Sequence, residues 1–256
     1  MIILYALVGL VVGGVINILA DVLPRRRTKL NGPICPACDQ PRPPIQALAT
    51  IAFLIGKRDC PACGRPIALR NVIVELGTAI LFALVYSRFT ATDLLGLAVL
   101  ALVSFHTSVL VLVTVTDVEH RLILNRVTFP AIVIAALTSP IRFGLEGWYF
   151  AFVGGAIGFI FFKLAVIVGN RAIGRGAMSE GDVTLAAYVG LITSFPGMIV
   201  ALVVAILAGG LISFLLLLTR VVNLRSGIPY GPFIAIGGFV AMLWGQQLVT
   251  RFFWGG

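Results

Sequence analysis

Eight runs of apolar residues, most of them about 20 long, divide this chain into segments with almost no charge inside them. They are Ile2–Leu23, Ile67–Tyr86, Leu94–Thr116, Val127–Pro140, Trp148–Gly169, Val183–Ser194, Gly197–Leu218 and Gly231–Val249. A helix of about 20 residues crosses a hydrocarbon core of about 30 Å, because each residue adds about 1.5 Å. Only 11% of the residues are charged and 59% are apolar, whereas soluble domains carry about 25% charged residues. The pattern therefore predicts an all-α polytopic membrane protein with about eight transmembrane helices. The fourth and sixth runs are short. They are expected to extend into the flanking polar loops or to sit tilted among other helices, and seven spans is the other count the pattern allows.

Lys and Arg set the orientation. With eight spans, 16 of the 19 basic residues fall on one side, in loops or at span ends, and only Arg88, Arg142 and Arg251 fall on the other. Cytoplasmic loops carry the excess of Lys and Arg. The chain is thus expected in the cytoplasmic (inner) membrane with both termini outside. No basic stretch precedes the first run, and Arg25-Arg26-Arg27 follows it, which is the layout of an uncleaved helix. The net charge of +9 is then mostly topological and suits anionic lipid headgroups. It does not argue for nucleic acid, since the basic residues flank spans and no binding fold accompanies them. Trp148 and Trp254 fall at outward span ends, where indole rings prefer the interface. Gly9 with Gly13, and Gly154 with Gly158, have the spacing that lets helices approach closely.

Residues 24–66 form the one loop long enough for a small domain, so the chain divides into a first helix (1–23), this loop, and a membrane domain of about seven helices (67–256). The loop holds all four cysteines, as Cys35-Pro-Ala-Cys38 and Cys60-Pro-Ala-Cys63, with 21 residues between the pairs. Two such knuckles can place four thiolates in a tetrahedron, which suits structural zinc. Paired disulfides are the competing reading, but the charge bias puts the loop on the reducing side of the membrane. A redox dithiol would not need two copies. About 40 residues with few large apolar groups need such a clip to fold.

Acids are scarce elsewhere, so each can be weighed. Asp117 follows an apolar run, and Asp182 opens another. Both lie at cytoplasmic span ends. Two carboxylates brought to one membrane edge can share a proton and activate water, one as base and one as acid. Acids at span ends also pair with loop arginines, and on spacing alone Glu119 and Glu180 rival the aspartates. Gly181, just before Asp182, removes a side chain where substrate backbone can approach. His106 lies mid-span and reads as a satisfied structural histidine. His120 has no second histidine near it. A transporter would be expected to hold acids near the bilayer midplane.

The ordered motifs resemble those of the type IV prepilin peptidase family, the bifunctional leader peptidases and N-methyltransferases. Gly13-Gly14-Val15-Ile16-Asn17 through Pro24 is similar to its first helix. The cysteine knuckles and Arg70-Asn71-Val72-Ile73-Val74-Glu75-Leu76 are similar to its cytoplasmic domain and second helix. Asp117-Val118-Glu119-His120 and Glu180-Gly181-Asp182-Val183-Thr184-Leu185 resemble its two catalytic segments, and Ile228-Pro229-Tyr230-Gly231-Pro232-Phe233 resembles the start of its last helix. The pattern departs at two points. Ser179 stands where the family usually has the first Gly of Gly-x-Gly-Asp, and Leu124-Asn125 stands where it commonly has Pro-Asp. The resemblance implies an aspartic endopeptidase with Asp117 and Asp182 as the catalytic pair. Its substrates would be prepilins or pseudopilins, cut on the cytoplasmic side. It further implies N-methylation of the new terminus from S-adenosylmethionine. A non-catalytic zinc-domain scaffold and an ion-coupled transporter are the alternatives from other classes.

Overall fold

The structure is a computed structural model of the chain and describes residues 1–24, 33–89, 91–172, 179–219 and 229–253. Arg25, Arg26, Arg27, Lys29, Arg175, Arg220, Arg225, Ile228 and Trp254, which enter the charge count, an interface assignment or a motif above, lie outside those residues. Among the described residues the secondary structure is helical, apart from two isolated β-bridges. The helices are α1 (Ile2–Val22), α2 (Ala49–Leu54), α3 (Leu69–Arg88), α4 (Leu94–His120), α5 (Asn125–Phe143), α6 (Tyr149–Ala172), α7 (Glu180–Thr193), α8 (Gly197–Leu218) and α9 (Gly231–Phe253), with a single 3₁₀ turn over Pro44–Ala47.

Seven of these helices, all but α2 and α7, are long and apolar enough to cross a membrane. Two short apolar runs resolve differently. The fourth extends at both ends to give the 19 residues of α5. The sixth becomes α7, which has 14 residues and rises only about 21 Å. Its apolar residues are buried on all sides rather than in a stripe, the mark of a helix enclosed by other helices. Hydroxyls inside the spans are satisfied locally. Thr78, Ser104, Thr107, Ser108 and Thr114 each donate to a carbonyl one turn back in their own helix, which spares an unpaired polar group in hydrocarbon.

The chain forms two compact units, Met1–Thr116 and Asp117–Gly256. In the first, α1 packs along α3. Gly9 and Gly13 face α3, and a Cβ on Gly13 would stand 2.6 Å from Cα of Glu75. Only a bare backbone permits that approach. Residues 33–68 carry the cysteine lobe, which Glu75 ties to α3. That carboxylate is fully buried. Its Oε1 accepts the Ala49 N–H at 2.6 Å, and its Oε2 accepts the Thr50 N–H and hydroxyl, each at 2.7 Å. Glu75 thus satisfies the N–H donors that the start of α2 leaves without an intrahelical partner, and they in turn satisfy the buried carboxylate.

In the second unit, α7 is the centre, packed by α5, α6, α8 and α9. Gly154 and Gly158 of α6 both face α7. A Cβ on Gly154 would lie 2.5 Å from the Gly190 carbonyl oxygen, so α6 and α7 touch backbone to backbone. This packing holds the first turn of α7, and with it Asp182, inside the helical assembly.

Candidate active site and metal centre

The cysteine lobe is a local repeat. In the first knuckle, the Cys35 N–H donates to Gln40 O, the Asp39 N–H to Cys35 O, and the Arg42 N–H to Pro33 O. The same three bonds recur 25 residues later: Cys60 to Arg65 O, Gly64 to Cys60 O, and Ile67 to Arg58 O. The tight turn needs a left-handed residue just after each second cysteine. Asp39 fills that place in the first knuckle with φ of 58° and Gly64 in the second with φ of 69°. These are residue types that tolerate positive φ.

The two knuckles converge. The four Sγ atoms lie within 4.8 Å of one another, with Cys35 Sγ to Cys63 Sγ at 3.7 Å and Cys38 Sγ to Cys60 Sγ at 3.8 Å. A disulfide requires about 2.05 Å, so these pairs are not bonded. Four sulfurs about 2.3 Å from a tetrahedral metal stand about 3.8 Å apart, and the two distances match that edge. The cluster can therefore hold a metal ion. A buried hub supports it. Arg42 donates to Cys35 Sγ at 3.5 Å, to Gln46 Oε1 and to Arg65 O, while Gln46 Nε2 donates to Lys57 O and Asp59 O. Burial resists ionisation of Cys35, but the Ala37 and Cys38 N–H groups, the Arg42 guanidinium and the Cys63 thiol bring its pKa down to about 6. The Gln40 N–H favours the Cys38 thiolate, yet burial and the three other thiols push that pKa up to about 12. Four thiolates this close repel, and a divalent cation removes that conflict.

The two candidate aspartates both belong to the second unit. Asp117 lies in the last turn of α4, and Asp182 is the third residue of α7. Each is only 5% exposed, and they are near enough for their charges to interact. The charge of Asp182 also reaches the Tyr230 phenol, so the start of α9 closes the same site. Asp117 Oδ2 accepts the Gly231 N–H at 3.0 Å, one of the donors a helix leaves free at its N-terminus. A Cβ on Gly231 would lie 2.5 Å from that oxygen, so only glycine brings the α9 backbone onto the carboxylate. Asp182 Oδ2 accepts the Ser179 N–H at 2.9 Å and the Ser179 hydroxyl at 3.0 Å, and the Asp182 N–H donates back to Ser179 Oγ at 3.3 Å. This is a capping box whose carboxylate is Asp182 itself.

The rival acids are placed elsewhere. Glu180 is exposed and pairs with Lys163 at 2.8 Å. The Glu119 side chain is 28% exposed and lies 4.0 Å from His120. On a helix, residues two apart point to opposite sides, so α4 and α7 each bury one acid and expose the other. His106 is buried, its ring edge-on to Phe105. Sequence reading missed Ser179 and Gly231 as their partners. Ser-x-x-Asp ahead of an apolar run is the signature of a capping box and could have flagged Ser179. Nothing local to Gly231 names Asp117.

Known proteins bear on this arrangement. Residues 104–214 match the type IV leader peptidase family, and residues 7–89 match the bacterial peptidase A24 N-terminal domain. The prepilin leader peptidase/N-methyltransferase of Bacillus subtilis is 33% identical over 219 residues, covering 84% of this chain and 83% of that protein. The protein of the same description from Aeromonas salmonicida is 29% identical, covering 86% of this chain and 73% of its own. That from Pseudomonas aeruginosa is 24% identical, covering 96% and 91%. No solved structure matches the chain. Both parts of the chain, the cysteine-bearing first part and the part that holds the two aspartates, thus have counterparts in one set of relatives, and the chain is a multi-pass membrane protein belonging to the type IV leader peptidase family.

Proposed function

We propose that this protein is an aspartic endopeptidase that removes leader peptides from type IV prepilins or pseudopilins, with Asp117 and Asp182 as its catalytic pair. It then methylates the new N-terminus. One observation carries the catalytic assignment. Two carboxylates 65 positions apart in sequence are both buried, interact through their charges, and are each clamped by backbone N–H groups at a helix start. Such a pair does acid–base work when one member is ionised and the other protonated. The ionised carboxylate takes a proton from water as its oxygen attacks the scissile carbonyl carbon. The protonated carboxylic acid gives its proton to the carbonyl oxygen. Collapse of the tetrahedral species breaks the C–N bond: the leaving amine takes the proton held by the first carboxylate, and the second carboxylate takes back a hydroxyl proton as the carbonyl re-forms, which restores the pair.

The family implies the second activity, with S-adenosylmethionine supplying the methyl group. Zinc is the metal we assign to Cys35, Cys38, Cys60 and Cys63. Four thiolates at tetrahedral spacing suit it, and they leave no open position for a reacting water, so its role is structural. The sixteen-to-three bias of basic residues supports a cytoplasmic-membrane location with both termini outside and the cysteine lobe inside. The lobe then forms residues 24–66, between a first helix and a peptidase domain that begins at residue 67. Reporter fusions at the C-terminus test the topology, and a cytoplasmic reporter signal would refute it.

Cleavage of a prepilin carrying its own leader, by membranes holding the full chain, tests the catalytic pair. Asp117→Asn and Asp182→Asn keep size and hydrogen bonding but remove the titrating group, and each should lower the rate by about 10²-fold or more. A stably inserted Asn variant that cleaves at the parent rate would overturn the assignment.

A further inference from the structure

We propose that Ser179 is a positioning residue for Asp182 and that its side-chain hydroxyl holds the Oδ2 oxygen of that carboxylate in place for the reaction. The inference rests on the catalytic reading of Asp182 above. Ser179 stands where the resemblance expects glycine, so a hydroxyl here is a feature of this chain beyond the family pattern. The geometry gives it a specific task. Two donors from one residue, the N–H at 2.9 Å and Oγ at 3.0 Å, land on the same oxygen, Oδ2. Ser179 therefore engages one oxygen of the carboxylate and leaves Oδ1 to other partners, such as a water or a proton shared with Asp117.

The bonds form a closed ring. The Asp182 N–H donates to the same Oγ at 3.3 Å, so the hydroxyl is oriented before it reaches the carboxylate. Ser179 is extended, with φ of −98° and ψ of 153°, the backbone state of an N-cap residue. The neighbouring glycine adds restraint. A Cβ on Gly181 would lie 2.8 Å from Ile123 Cβ and 3.3 Å from Ser179 Oγ. The turn that carries Ser179 is thus packed against the segment that follows α4. A glycine at position 179 would keep the N–H donor and lose the hydroxyl, so the carboxylate would keep one restraint of two.

Capping alone would make Ser179 a stability residue, so the test separates the two roles. Glycine is an adequate N-cap and alanine a poor one, whereas neither has a hydroxyl. Ser179→Gly, Ser179→Ala and Ser179→Thr are assayed in the full chain in membranes, with Asp182→Asn as a control and a prepilin carrying its own leader as substrate. If the hydroxyl positions Asp182, the Gly and Ala variants both lower kcat by about tenfold, the scale of one hydrogen bond to a charged group. KM stays within about twofold, since ground-state binding is untouched. Ser179→Thr, which keeps the hydroxyl, restores at least half of the parent kcat. If the hydroxyl serves only the helix end, Ser179→Ala loses thermal stability while Ser179→Gly keeps the parent kcat, and that result overturns the proposal. Failure of the underlying reading looks different, because Asp182→Asn itself would then cleave at the parent rate.

Discussion

The cysteine lobe fixes four sulfurs with turns, whereas the bundle around α7 fixes two carboxylates with helix ends. In the lobe every ligand sits within three residues of its neighbour, and the same backbone pattern is used twice, 25 residues apart. In the bundle, each carboxylate takes N–H donors from where a helix begins, and the donor to Asp117 comes from 114 positions away. A local site tolerates change in the rest of the protein. A site assembled from helix ends depends on how closely helices pack, which explains why glycines recur there. Gly231 admits Asp117, and Gly154 with Gly190 sets the depth of α7.

The contrast can be broken or sharpened by substitution. The largest effect is expected where a carboxylate is removed outright, in the Asp117→Asn and Asp182→Asn variants. Next come the sulfurs. Replacing Cys35 and Cys63 together by Ser leaves two thiolates and should abolish binding of one zinc per chain, read by elemental analysis of purified protein. Methylation should fall further than cleavage in that variant, since the lobe lies apart in sequence from both aspartates. Equal loss of the two activities would show that the sites are not separable.

Gly231→Ala probes the helix-end clamp without touching a titrating group. The new methyl group would stand 2.5 Å from the Asp117 Oδ2 oxygen and push the carboxylate away, and kcat should fall by about 10-fold to 10²-fold while metal content stays at the parent value. A parent-like kcat would mean that the α9 start does not position Asp117. The matching test in the lobe is Gly64→Val. A β-branched residue at φ of 69° costs about 1–2 kcal/mol, read as a lower melting temperature of the zinc-loaded protein with cleavage unchanged. Gly64→Asp should cost less, because Asp39 occupies the equivalent place in the first knuckle. The smallest effects belong to Glu119→Gln and Glu180→Gln, which should retain at least half of the parent cleavage rate. A loss matching that of the aspartate variants would move the acid–base role to those residues.

Several of these features are legible without any structure. The hydrophobic runs name the helices, because a span must satisfy its own backbone and exclude charge over about 20 residues. The knuckles are legible because metal-ligand spacing is written in consecutive residues. The small-residue pairs Gly9 with Gly13 and Gly154 with Gly158 mark packing faces correctly. Run length marked the sixth run as short but did not show why: its 14 residues form α7, enclosed by other helices. Its length is decided by burial among neighbours rather than by a bilayer it must cross alone.

Spacing alone could not choose among the acids, for a physical reason. Asp117 and Glu119, or Glu180 and Asp182, differ by two positions, and nothing in composition says which side of a helix faces inward when both flanks are apolar. Tertiary packing buries Asp117 and Asp182 and leaves the Glu180 side chain 69% exposed in its pair with Lys163. Sequence by itself determined that this chain spans a membrane through apolar helices and gathers four cysteines into two matched turns, because both follow from short-range rules. Only the tertiary structure decided which carboxylates meet and that Gly231 admits Asp117. Contacts between residues 65 and 114 positions apart are set by helices packing against helices, and no short-range rule reaches that far.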